Sequence, residues 1–246
     1  VVTVGRMYYA ALVPCLLSSY AAALTAHGFD LHAIHGYPVR DALPLEALPV
    51  LQAAVMGVLC ALLSIAFCEV MHIAPRLYQR YLPDPMLRAA AGGALVLGLT
   101  LLVGNQTYNG AGDPVIRALL AGETIPEAFL LKILFTALTL GAGFRGGEIV
   151  PVLFTGCAFG TWIGPILGLP HGFSGALGMA GVFCGATNCP LTSTLLAFEL
   201  FGGDGLPLYA LCCGVSFMLS GYYGLYSEQK IIYSKFKPEW VDKKTH

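Results

Sequence analysis

The amino-acid sequence predicts an all-α polytopic membrane protein, and three observations carry that prediction. Charge is scarce: only 11% of the 246 residues are Asp, Glu, Lys or Arg, where a soluble domain uses roughly 25% to cover its core. The uncharged residues are grouped. Residues 7–29, 47–68, 89–112, 149–198 and 205–227 contain no Asp, Glu, Lys or Arg, and a helix needs only about 20 apolar residues to cross the hydrocarbon core. The chain also carries 30 Gly and 15 Pro among 57% apolar residues, with a mean hydropathy of +0.72. That is too much Gly and Pro for soluble helices. It suits membrane helices, where small residues allow close approach and neighbours satisfy freed backbone groups.

Each element follows from the pattern of apolar runs and breakers. A first helix is predicted over 5–25, then a polar connection over 27–49 broken by Gly36, Pro38 and Pro44. A long helix over 51–73 leads into a loop over 75–88 that holds Arg76, Arg80 and Arg88. The next helix, 89–103, stops at Gly104, and the stretch 105–113, with Gln106, Thr107, Tyr108, Asn109 and Gly110, reads as a polar turn. A short helix over 114–121 and another over 127–140 follow. The uncharged tract after Glu148 is punctuated by glycines and prolines and divides into pieces near 150–163, 173–184 and 189–200. A helix over 207–222 and a short polar-ended helix over 229–236 complete the membrane part, leaving 237–246 as a short tail.

Basic residues orient the elements. The 76–88 loop and the tail, with Lys230, Lys235, Lys237, Lys243 and Lys244, are the two basic clusters, and the positive-inside rule places both in the cytoplasm. Broken helices that end within the bilayer offer unpaired backbone groups to a substrate.

The run Gly143-Phe144-Arg145-Gly146-Gly147-Glu148-Ile149-Val150-Pro151 holds the densest chemistry. Gly146 and Gly147 lead into an apolar helix whose Pro151 suits a first turn, where the missing N–H goes unmissed. Such a start presents the N–H groups of Glu148 and Ile149 at the positive end of the helix, able to hold an anion without a cationic side chain. A full Lys or Arg charge would hold a permeating ion too tightly to release it. The residues alone also fit a plain helix start after a flexible turn. Other polar residues have simpler readings: Glu69, His72 and Glu199 are predicted as solvated helix ends. The eight Cys form no CxxC pair and read as small apolar residues, with no metal site and no cofactor implied. A net charge of −1 gives no footprint for nucleic acid. No phosphate loop, zinc pair or nucleophile elbow is present, so an enzyme is not expected.

The same run resembles the helix start G-G-x-F-x-P of the CLC family of chloride channels and proton-coupled anion antiporters. Two further segments extend the resemblance: 178–192, a glycine- and alanine-rich turn before Pro190-Leu191-Thr192, and 221–234, which resembles the family's final helix. The family's two inverted halves imply an inverted-repeat architecture with broken and re-entrant helices. The front-half motifs, G-S-G-x-P and G-x-E-G-P, do not occur, so residues 1–236 resemble a second half. Because the chain opens close to a membrane segment without an initiating Met, residues before Val1 are expected to be needed for activity.

The resemblance implies transport of small inorganic anions, chloride first, by a channel or a proton-coupled antiporter. It assigns the backbone N–H groups of Glu148 and Ile149 and the hydroxyl of Tyr233 to the anion, and it implies a homodimer in a cell membrane. Two departures bear on selectivity. Ile149 replaces the usual Phe, and Glu148 stands where most chloride-transporting members have an apolar residue. The run is closer to the fluoride-exporting branch, G-F-K-G-G-E-V-T-P, although Val150 replaces its Thr. A fluoride/proton antiporter is therefore the alternative. Outside transport, the competing functions are an intramembrane enzyme and a non-transporting membrane module. The Glu148 carboxylate is expected either to face a vestibule or to pair with Arg145.

Overall fold

The computed structural model describes residues 3–4, 9–30, 36–37, 39, 41–237 and 239–246. Its elements in order are β1 (Thr3–Val4), α1 (Leu12–Gly28), α2 (Ala47–Tyr81), α3 (Pro85–Val103), α4 (Asp113–Leu120), α5 (Ala128–Gly141), α6 (Ile149–Ile163), α7 (His171–Thr187), α8 (Pro190–Phe201), α9 (Leu206–Leu219), β2 (Lys230–Tyr233) and β3 (Trp240–Lys244). A 3-10 turn precedes α1 and another, Gly164–Leu167, extends α6. Among the described residues, four stretches are long and apolar enough to cross a bilayer: Tyr9–Gly28, Ala47–Tyr81, Pro85–Val103 and Ile149–Leu167. By contrast, α5 has 14 residues, about 21 Å at 1.5 Å per residue. It is too short to cross a hydrocarbon core of about 30 Å.

The core is the contact of α6 with α7, flanked by α2 and α9. Nearly all of α7 is buried, from Phe173 to Thr187. Its density comes from glycine. A Cβ at Gly156 would overlap the carbonyl of Gly178, one at Gly160 the carbonyl of Ser174, and one at Gly164 the Ser174 side chain. Residues 156, 160 and 164 are four apart, so they share one face of α6. With no side chains there, the two backbones approach closely. Around this centre, α2 packs on α5, α7 and α9, and α4 sits across α6 and α7. In contrast, α1 has no buried residue, and Gly92 is the single buried residue of α3. These are apolar helices with their sides open to lipid or a partner.

Several predicted boundaries move. The long helix does not stop at residue 73; α2 runs on through Pro75 to Tyr81. Membrane helices tolerate an internal proline because neighbours satisfy the freed carbonyl. Arg76 and Arg80 therefore lie on helix, and α3 starts at Pro85, with the Asp84 carboxylate accepting from the Met86 N–H at 2.8 Å. The predicted start of the first helix falls partly outside the described residues, as do parts of the 27–49 connection. The stretch 105–113 is not a simple polar turn: Tyr108 is buried among Phe135 and Phe154.

The largest correction concerns residues 229–236, predicted as helix. Residues 230–233 form β2, paired antiparallel with β3 and parallel with β1. Ile231 and Ile232 are β-branched and favour the pleated conformation, and the register Lys230↔Lys244 and Tyr233↔Trp240 gives their backbone a partner. Residues 240–244 of the predicted tail are thus strand.

Candidate functional site

The turn between α5 and α6 builds the candidate site. Gly143 adopts φ +97° directly after α5, a conformation that disfavours any side chain, and this reverses the chain. The Arg88 Nε donates to the Ala142 carbonyl at 3.3 Å, placing a cation at the C-terminal end of α5, where the helix dipole favours it. Residues 143–147 are exposed and Glu148 is the half-buried N-cap of α6. The Val152 N–H donates to the Glu148 carbonyl at 3.1 Å, the first bond of the helix. The N–H groups of Ile149 and Val150 therefore have no carbonyl partner in their own helix, and Pro151 has no N–H to offer. Ile149 is 42% and Val150 41% exposed, so this end of the helix is uncovered. Val150 thus joins Glu148 and Ile149 as a candidate backbone donor, one residue beyond those the sequence singled out.

The Glu148 side chain does not cap its helix. The ion pairs among the described residues are Asp113–Arg117 and Lys244–Glu228, so the pairing with Arg145 is not made. Instead the carboxylate lies within electrostatic reach of His72 on α2, and of Cys68 and Tyr226. His72 and Glu69 are not solvated helix ends. They sit well inside α2 and, with Arg76, Tyr223 and His246, line a cavity of about 320 Å³. Glu199, in the last turn of α8, is exposed.

The predicted supporting glycines divide. A Cβ on Gly147 would meet nothing within 4 Å, and one on Gly146 would meet only the tip of Leu140 at 3.0 Å. Neither has a positive φ. Gly164, by contrast, is pressed against the Ser174 side chain, where a Cβ would overlap it.

Tyr233 stands at the end of β2, 46% exposed, with its ring edge-on to Trp240 at 5.4 Å. A buried polar network fixes the segment that carries it. The Lys235 Nζ donates to the Asn188 Oδ1 at 2.5 Å and the Ser220 Oγ at 2.9 Å. Asn188 Nδ2 donates in turn to the Tyr223 carbonyl and to Gln229 Oε1. Burial brings the Lys235 ammonium down to about 8. Asn188 has φ +58° at the end of α7, so this network ties the end of α7 to the strand bearing Tyr233. The sequence showed Asn188 only as part of a resemblance and gave no sign of its partners.

Comparison with known proteins places this geometry. The profile of the family described as "Voltage gated chloride channel" matches residues 2–221. The chain is 32% identical over 241 residues to the "Chloride/fluoride channel protein" of Pseudomonas syringae pv. tomato, covering 96% of this chain and 53% of that protein. It is 29% identical over 228 residues to the "Voltage-gated ClC-type chloride channel ClcB" of Salmonella typhimurium, covering 88% of this chain and 54% of that one. Among solved structures it resembles that of "a CLC-type fluoride/proton antiporter", with a TM-score of 0.89, 28% identity, and coverage of 94% of this chain and 58% of the other. The chain spans about half the length of the curated relatives it matches. On the profile match over most of its length and the shared helical architecture, the chain belongs to the voltage-gated chloride channel (CLC) family.

Proposed function

We propose that the protein containing this chain moves small inorganic anions across a membrane in exchange for protons, with fluoride ahead of chloride as substrate. One observation carries the reading. An uncovered helix start with free N–H groups at Ile149 and Val150 carries at its N-cap a carboxylate, Glu148, that neither caps the helix nor pairs with Arg145. The N–H groups and the helix dipole stabilise an anion. For this half-buried carboxylate, burial outweighs the nearby His72 and favours taking up a proton. Protonated, it adds an O–H donor for a small, strongly hydrated anion; ionised, it repels that anion. Similarity to the chloride/fluoride channel protein and to the fluoride/proton antiporter supports fluoride. Similarity to ClcB supports chloride as the second substrate. Residues outside this chain complete the pathway, the basic 76–88 and 227–246 segments face the cytoplasm, and the protein acts as a homodimer.

The test is anion efflux from liposomes holding the full-length protein, read by fluoride and chloride electrodes together with a pH-sensitive dye. Fluoride efflux accompanied by proton uptake is the expected result. Glu148→Gln is expected to lower proton uptake by about 100-fold or more, the range of a lost positioned proton carrier. Anion flux without proton movement in the unmutated protein would sink the exchange reading.

Tyr233→Phe tests the hydroxyl assigned by resemblance. It keeps the ring against Trp240 and is expected to weaken halide binding by up to about 3 kcal/mol, the upper range for one hydrogen bond to a charged group. Calorimetric titration of the full-length protein measures it, and an unchanged affinity would make Tyr233 a packing residue only.

A further inference from the structure

The main contact of α3, a helix open on nearly every side, is with the end of α5. Arg88 and Gly92, at i and i+4, share the face that makes this contact. A Cβ on Gly92 would overlap the Ala142 Cβ, so a residue without a side chain lets α3 come this close. One turn earlier, the Arg88 Nε donates to the Ala142 carbonyl at 3.3 Å. The guanidinium then reaches along the turn, with Nη2 3.6 Å from where a Gly143 Cβ would stand. Arg88 is half-buried, although residues 83–87 are almost all exposed.

The chain that follows Ala142 has few other tethers. The Gly143 N–H donates to the Leu140 carbonyl at 3.0 Å. Among the described residues, no N–H from Phe144 to Val150 has a hydrogen-bond partner, and α6 closes its first bond only at Val152. The bond from Arg88 is the one side-chain hydrogen bond to residues 142–151 among the described residues. It is therefore the last fixed point before a run of free backbone donors.

We propose that Arg88 is a positioning residue for the anion site at the start of α6. The proposal rests on the anion-binding reading above and adds a residue that acts without touching the anion. Its bond fixes the Ala142 carbonyl, and with it the place and direction in which the glycine turn leaves α5. From that fixed exit the turn delivers the N–H groups of Ile149 and Val150 in one arrangement. The anion then has less chain to order when it binds, and that saving appears as affinity.

Two variants separate the bond from the charge. Arg88→Gln puts an amide nitrogen at the position of Nε, so it keeps the donor and loses the charge. Arg88→Lys puts a methylene there and carries its charge one atom further out. The full-length protein is used throughout: fluoride binding by calorimetry in detergent, fluoride efflux from liposomes over a range of concentrations, and thermal unfolding. Arg88→Lys is expected to raise the dissociation constant and the half-saturating concentration about fivefold or more, with the maximal rate within about twofold. Arg88→Gln is expected to stay within about twofold of the unmutated protein in all three. Gly92→Ala pushes α3 off Ala142 with Arg88 intact and should reproduce the Arg88→Lys change, which decides the matter if an Arg88 variant does not fold. A merely structural role would lower folded yield and thermal stability and leave the affinity of the folded protein unchanged. Unchanged affinity in Arg88→Lys and Gly92→Ala would overturn the proposal and leave the transport reading intact. So would a loss in Arg88→Gln as large as in Arg88→Lys, which would make Arg88 a source of positive potential only. An unmutated protein that binds no anion would overturn both.

Discussion

Gly160→Val in the full-length protein is expected to abolish the folded species, with a loss of about 3 kcal/mol or more. The residue faces the Ser174 carbonyl across the α6–α7 contact, and a Cβ built on it overlaps that oxygen and crowds the Gly175 backbone at 3.1 Å. These obstacles are backbone atoms of a fully buried helix, so they cannot swing aside as a side-chain tip would. Over-packing a dense core typically destabilises by about 1–3 kcal/mol, and by more where neighbours cannot yield. One turn to either side, Gly156 meets the Gly178 backbone and Gly164 the Ser174 side chain, so moving α7 away would also break their contacts. Gly147→Val is the control, since its Cβ would meet nothing within 4 Å. Size-exclusion profiles and thermal unfolding in detergent read the outcome. A folded, monodisperse Gly160→Val protein with unchanged thermal stability would show that the helices are not in the contact described.

The glycine contact also shows what the sequence made legible. The uncharged tract after Glu148 divided correctly into three helices because its prolines and glycines mark real ends: Pro170 precedes α7 and Pro190 opens α8. The same glycine counts did not reveal which glycines break the chain and which permit packing. Gly160 and Gly178 lie inside helices, and their role depends on the facing backbone. Pro75 misled for the complementary reason: a breaker in water is tolerated in a membrane helix once neighbours supply the missing bonds. The segment 229–236 misled because its partner strand, 240–244, turns from Trp240-Val241 to the charged Asp242-Lys243-Lys244 and carries no alternating apolar pattern.

The candidate site was legible where it depends on contiguous residues. The helix start at Ile149 with Glu148 at its N-cap falls where the glycines and Pro151 predicted. Everything that comes to the site from a distance was not. His72 lies on another helix, and an isolated histidine in an apolar run has no pattern to mark it. Only the fold sets it against Leu225 and within the field of Glu148.

Lys132 is the other residue whose role only the fold discloses, and its truncation carries the second large expected effect. It is 1% exposed in the second turn of α5. Its Nζ donates to the Gly110 carbonyl at 2.6 Å and the Tyr108 carbonyl at 3.2 Å, and lies 4.9 Å from the centre of the Phe154 ring. No carboxylate is among these partners. The ammonium is held by backbone dipoles and a ring face, so it pins the 105–112 connection onto α5 and α6. Lys132→Ala removes the aliphatic stem as well as the donors, and is expected to lower stability by about 3–5 kcal/mol. Lys132→Met keeps most of the stem and leaves two carbonyls unpaired, with an expected loss of about 1–3 kcal/mol. The difference between the two variants is the packing contribution. Denaturant unfolding of the full-length protein in detergent measures both. Phe154 stands on the second turn of α6, the helix whose start bears Glu148. A loosened connection should therefore also lower anion flux per folded Lys132→Met protein. If Lys132→Met matches the unmutated protein in stability and flux, the carbonyl bonds contribute nothing net, and the buried Tyr108 ring alone holds the connection.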